Sequence, residues 1–103
     1  MALPKPRKTY ADEATDALIA RHVELLSPLD TPDDARVIES SVRVTTVIQQ
    51  LRDAGREVAD VADSYHLSEE AVRAALAYYE RHQKVIDAQI TLNMAWAADE
   101  GWA

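Results

Sequence analysis

From Glu69 to Ala95 the chain reads EEAVRAALAYYERHQKVIDAQITLNMA, with neither glycine nor proline in it. Nothing in this run stops a helix, and at 1.5 Å per residue it would extend about 40 Å, more than a small compact domain needs. Val72, Leu76, Tyr79, Ile86 and Ile90 form one apolar stripe, and Ala75, Tyr78, Val85, Leu92 and Trp96 form a neighbouring one. Two stripes call for more than one packing neighbour. The early turns can close on the helices that precede them. The later turns need the N-terminal helix, a second copy of the chain or another protein.

The residues before this run supply its start and its partners. Ser68 reads as an N-cap, with Glu69 and Glu70 at the positive end of the helix. Residues 56–65 predict a short helix that buries Val58, Ala59, Val61, Ala62 and Tyr65, with His66 and Leu67 as the turn. Another helix begins near Thr45 or Thr46, directs Val47, Ile48 and Leu51 inward, and ends at a left-handed Gly55. Val42–Val44 reads as a short extended segment, because β-branched residues alternate there. Thr31-Pro32-Asp33-Asp34 carries the signature of a helix start. An N-terminal helix capped by Thr9 is expected to run to about Leu26 on Ala14, Leu18, Ile19, Val23, Leu25 and Leu26, with Pro28 beyond it.

The whole is expected to be an all-α, helix-turn-helix-like domain over residues 9–96, with a long C-terminal helix. Residues 1–8 read as a flexible basic arm and 97–103 as a tail. The length of 103 residues suits a single core, and two glycines, four prolines and no phenylalanine suit helices better than strands. Without cysteine there is no disulfide framework and no thiolate nucleophile. No apolar run approaches the ~20 residues of a membrane span, so the expectation is a cytoplasmic protein with no membrane partner.

The formal charge of −7 is unevenly spread. Residues 9–35 hold seven acids against Arg21, whereas residues 36–84 hold seven bases against eight acids. Nucleic acid would therefore be met by the middle of the chain or by Lys5, Arg7 and Lys8. Read as a helix-turn-helix, VADVADSYHLSEEAV places Glu69 and Glu70 where a recognition helix meets bases and phosphates, and carboxylates repel phosphates. The candidate DNA contacts are Arg43, Arg52, Arg56 and Arg73, used by a dimer; the plainer reading of each is solvated surface. Tyr78, Tyr79, Val85, Ile86, Ile90, Leu92 and Trp96 are the candidate dimer or partner interface. For the tyrosines the alternative is accommodation within one chain, and for Trp96 and Trp102 an idle tail.

His22, His66 and His82 lie in separate expected elements without metal-ligand spacing, and read as surface or junction residues. Ser64 and His66 flank a turn and define no nucleophile–base pair, and there is no glycine-rich phosphate loop. The reading is of a protein that is not an enzyme and has no cofactor or metal.

Gly55 followed by REVADVADSYHLSEEAVRAALAYYERHQKVID, together with AALAYYERHQKVIDAQI, resembles the bacterial domain-of-unknown-function family 433 over about residues 36–92. The resemblance implies a homeodomain-like helix-turn-helix fold, dimerisation, and an antitoxin-like role beside a nuclease-type toxin. It puts Gly55 at the turn before the first motif helix, Val58 and Ala59 at buried positions, Tyr65 and Leu67 at the junction, and Ala75, Leu76, Tyr78 and Tyr79 on the helix that follows. The family's opening segment, G-x-P-x-I-x-G-T-R-I-x-V, is replaced by RVIESSVRVTTVIQQL. There Ile38 and Val44 keep apolar positions, but the glycines and the proline are missing. The function expected is a dimeric adaptor that neutralises a nuclease-type toxin, with operator DNA as a further partner. The alternatives are a transcriptional regulator without a toxin, or a purely structural dimer.

Overall fold

The computed structural model describes residues 10–100, and the side chains of residues 13–95. The expected arm at 1–8, the Thr9 cap, the Trp96 side chain and Trp102 lie outside these. In chain order the elements are α1 (Tyr10–His22), β1 (Val23–Glu24), a single 3-10 turn (Pro32–Asp34), β2 (Arg36–Val37), β3 (Val42–Arg43), α2 (Val44–Arg52), α3 (Val58–Ser64), α4 (Glu69–Arg81) and α5 (Gln83–Glu100). The protein is mostly helical, with one small antiparallel sheet in the order β1-β2-β3. Among the described residues, no helix is long and apolar enough to cross a membrane.

Local signals formed as expected where they were strong. The Ala71 N–H donates to Ser68 Oγ at 3.1 Å and caps α4. Gly55 takes φ +65° after α2, a left-handed conformation that costs glycine little. Val47 and Ile48 are buried and Leu51 is partly so. Thr31 starts only one 3-10 turn, closed by its N–H and hydroxyl donating to Asp34 Oδ2, both at 3.1 Å.

Three expectations are corrected, two of them by pairings distant in sequence. The first helix stops at His22 rather than Leu26, because Val23 becomes a strand residue opposite Val37 and so is buried in the sheet. The extended segment is the strand Val42–Arg43, paired to Arg36–Val37, and Val44 already begins α2. Of the expected buried side of α3, Val61 and Ala62 are buried and Val58 and Tyr65 partly so, but Ala59 is exposed.

The long helix is divided. His82 (φ −126°, ψ 32°) separates α4 from α5, its N–H shared between the carbonyls of Tyr78 (3.2 Å) and Tyr79 (3.0 Å). Local sequence gives no reason for a break in RHQK. The cause is tertiary: the bend lets Ile86 and Ile90 become wholly buried, with α5 against α2 and the 3-10 turn. Two buried isoleucines are worth about 1.5–3 kcal/mol each, more than an interrupted turn costs. The bend also brings Asp87 to α2 and α4, where its Oδ1 accepts from Tyr79 Oη (2.6 Å) and Arg52 Nη1 (2.5 Å). Beyond the core the helix continues, and the side chains from Thr91 to Ala95 are all exposed; α5 reaches Glu100, past the expected boundary at 96.

Ile86→Ala is expected to lower the unfolding free energy by about 2–5 kcal/mol, and Leu92→Ala on the same helix by no more than about 0.5 kcal/mol, as measured by urea denaturation.

Candidate functional site

Helices α3 and α4 form the expected corner. The Leu67 N–H donates to Ala62 O at 2.8 Å, His66 takes φ +57° in the turn, and Leu67 is buried beneath it. On α4, Ala71, Val72, Ala74, Ala75 and Tyr78 face inward. Glu69, Arg73 and Glu80 are exposed and share one helical face. With Glu70 and Arg81, also exposed, α4 presents three carboxylates and two guanidiniums to solvent.

The four candidate arginines do not form a common cationic patch. Arg52 spans Asp53 (Nε to Oδ1, 2.8 Å) and Asp87 (Nη1 to Oδ1, 2.5 Å). Asp53, with Tyr79 next, holds this guanidinium even further into its charged range. Arg56 donates to Gln50 Oε1 (3.0 Å), Asp60 O (3.2 Å) and Ser64 Oγ (2.5 Å), staking the α2–α3 connection to the body of α3. Arg73 lies 3.6 Å from Glu69, one turn back. Arg43 alone has no partner among the described residues. It sits on the outer strand directly opposite Arg36, whose Nη1 donates to Ser41 O at 3.2 Å.

The candidate interface residues divide in the same way. Tyr78 is buried, with its hydroxyl donating to Pro32 O at 3.1 Å; burial, with the charge of Asp33 second, raises its pKa above the usual tyrosine value. Tyr79 is partly buried and bonded to Asp87, which raises its pKa likewise. Both tyrosines are therefore satisfied within one chain, and Ile86 and Ile90 are spent on its own core. Val85 and Leu92 remain outside. With Ala88 and Ala95 they form an exposed row at positions i, i+3, i+7 and i+10, the spacing of a coiled-coil seam. A shallow groove of about 460 Å³, lined by Asp33, Lys84, Val85, Ala88, Gln89 and Leu92, runs along this row.

One cluster was not legible in the sequence. His22, at the end of α1, sets Nδ1 3.2 Å from Glu39 Oε1 and Nε2 2.8 Å from Glu70 Oε2, and Arg21 adds Nη2 at 3.1 Å to Glu70 Oε1. Glu39, in the β2–β3 turn, also accepts from the Ser68 N–H (2.8 Å) and hydroxyl (3.0 Å). The clamp therefore ties α1, the hairpin turn and the α4 cap together. Its members are separated by dozens of residues, so no spacing rule could have joined them. The two ring nitrogens point opposite ways and offer no shared position for a metal. Among the described residues no group of three His, Asp or Glu side chains is placed to hold one. His66 is exposed in the corner turn, and His82 packs against Tyr78 with ring centroids 4.5 Å apart.

Fold and surface define a small helical protein built on a helix corner, with its polar groups arranged for packing and contact. Residues 35–79, a little under half of the chain, match the model of the family described as "Protein of unknown function (DUF433)", the family the sequence resembles. The matched segment runs from just before β2 to Tyr79 in α4. It leaves α1, β1, the loop after β1 and α5 outside. No curated protein and no solved structure matches the chain.

The Ser68 N–H, chief among its hydrogen-bond partners, holds the Glu39 carboxyl below its ordinary value of 4.5, and His22, then Arg21, does the same for Glu70. A carboxylate depressed in the folded state stabilises it above the unfolded pKa, and that contribution is lost as pH falls through the folded pKa. Unfolding free energy is therefore expected to drop as the pH falls below 4.5. Glu39→Gln should flatten this acid limb and cost about 1 kcal/mol at neutral pH, as read by denaturant titration at several pH values.

Proposed function

We propose that this chain is an antitoxin-like dimeric adaptor that binds and neutralises a nuclease-type toxin in the cytoplasm. The observation that carries the reading is the unpartnered outer face of α5, set against a helix corner whose cations are mostly bound up internally. Val85 and Leu92 are large apolar residues left 41% and 51% exposed, on a helix that continues beyond its own core. A helix end of this kind is marginal in water and gains stability by packing on another chain.

Charge allots this face to self-association. The row and flanks that α5 itself contributes, Lys84, Val85, Ala88, Gln89, Thr91, Leu92 and Ala95, contain no carboxylate in a chain of net charge −7, and Asp33 of the 3-10 turn is the one carboxylate lining the groove beside them. Two copies can meet there without the like-charge repulsion that most of the remaining surface would impose. The dimer then leaves its acidic parts free to pair with the basic surface on which a nuclease holds RNA. Neutralisation would be steric and electrostatic, with no chemistry required of the adaptor.

A second reading, a DNA-binding regulator, is favoured by one observation: Arg36 and Arg43 stand opposite each other and neither lies in an ion pair among the described residues, with Glu24 across from Arg36 on the other strand. Like charges directly across a strand pair are destabilising, so an anion there would be welcome. On that reading Arg43→Gln lowers duplex affinity and reduces the salt slope by about 1.

Affinity capture of the full chain from its own host, with stoichiometry by mass spectrometry, tests the leading reading. A small nuclease-like protein in fixed ratio is expected; recovery of its own copies alone contradicts it. Val85→Glu/Leu92→Glu should convert the dimer to a monomer in light scattering while leaving the helical circular dichroism signal in place.

A further inference from the structure

The two most exposed large apolar residues of the described chain, Leu29 and Leu26, lie in the loop after β1, with Leu25 beside them. Leu25, Leu26 and Leu29 are 45%, 63% and 91% exposed. The core does not lack for them, since Val23 before the loop and Ala35 after it are buried. Three leucines left in water within five residues ask for another explanation than packing.

The loop is a built turn. The Asp30 N–H donates to Ser27 O (3.0 Å) and closes a β-turn with Pro28 at its second position. The Ser27 N–H donates to Asp30 Oδ2 (3.1 Å), and the Leu29 N–H to Ser27 Oγ (3.2 Å). Leu29 is thereby held at the tip. A side chain displayed on a fixed backbone loses less entropy on binding than one on a loose segment.

Charge surrounds the leucines. Between residues 24 and 34 the chain carries Glu24, Asp30, Asp33 and Asp34 and no base. None of the four lies in an ion pair among the described residues: Asp30 and Asp34 accept only from neutral donors, and the neighbouring Arg36 is directed to Ser41 O.

We propose that this loop is a docking surface for a partner protein that presents an apolar pocket rimmed by lysine or arginine, with Leu26 and Leu29 entering the pocket and the carboxylates meeting the rim. The charge argues against other occupants. A second copy would set four carboxylates against four, and anionic lipid or nucleic acid would be repelled as well. The inference rests on the adaptor reading above and centres its heterologous contact on the loop leucines, with Asp33 at the border between the loop and the α5 groove. The loop lies outside the segment that matches the family, so partner choice would reside in a part of this chain added to the shared helix corner.

The test places the photoreactive residue p-benzoylphenylalanine at Leu29, and separately at Leu92, in the full chain expressed in its own host, with crosslinked peptides read by mass spectrometry. Position 29 is expected to crosslink one other protein through a peptide containing apolar residues and lysine or arginine. Glu24→Gln/Asp33→Asn, which removes charge without touching the turn bonds, should lower that yield at least about threefold. Capture of another protein from position 92 but not from position 29 overturns the loop and leaves the adaptor reading standing. If neither position captures another protein, the adaptor reading falls with it. Many unrelated adducts at position 29, or a yield indifferent to the charge variant, also overturn the proposal.

Discussion

The alanine face of α4 is the constraint on which the rest of the structure depends. Ala71, Ala74 and Ala75 are completely buried, and α1, α2, α3 and β1 all touch this helix. Side chains this small let several elements approach one axis closely, and α4 becomes the hub of the domain. The same fact limits its use as a reading helix. Much of its circumference is occupied, and the charged residues left to solvent are Glu69, Glu70, Arg73, Glu80 and Arg81. Its N-terminus, which would otherwise attract phosphate, is capped by Ser68, and the adjoining Glu70 is tied to His22 and Arg21.

Around that hub the charges separate by role. At the corner, ion pairs and hydrogen bonds consume Arg52, Arg56 and Arg73, and Arg52 also secures α5 through Asp87. Exposed pairs of this kind contribute little stability each, but they fix geometry and remove free cations from the surface. Among the described residues the acids of the loop after β1 lie in no ion pair, and the outer row of α5 itself, Val85, Ala88, Leu92 and Ala95, carries no charge. Balanced corner, acidic loop and the uncharged row of α5 are three surfaces with different electrostatic preferences, and the proposed contacts with a second copy and with another chain rest on that difference.

How much the sequence disclosed follows the range of each interaction. The Ser68 cap, the left-handed Gly55, the inward Val47 and Ile48 and the extended Val42–Arg43 are decided by a few neighbouring residues, and all were legible. The end of α1 depends on Val23 finding Val37, and the bend at His82 on Ile86, Ile90 and Asp87 finding the core and α2. Helix periodicity cannot register such pairings. It therefore gave one continuous helix and assigned Ile86 and Ile90 to an interface. For the same reason the sequence placed the four arginines as free candidates, when three of them have partners brought in by folding.

Folding pairs Arg52, Arg56 and Arg73 of the helix corner within the chain, and the proposal of a protein rather than a DNA partner turns on those cations being spent. Binding of the full chain to a fluorescently labelled duplex of mixed sequence, followed by anisotropy at about 50 mM salt, addresses it directly, because non-specific electrostatic attachment accompanies nearly all DNA recognition. The account predicts no saturable binding up to about 10 μM protein. Saturable, steeply salt-dependent binding that disappears in Arg52→Gln/Arg56→Gln/Arg73→Gln would contradict it.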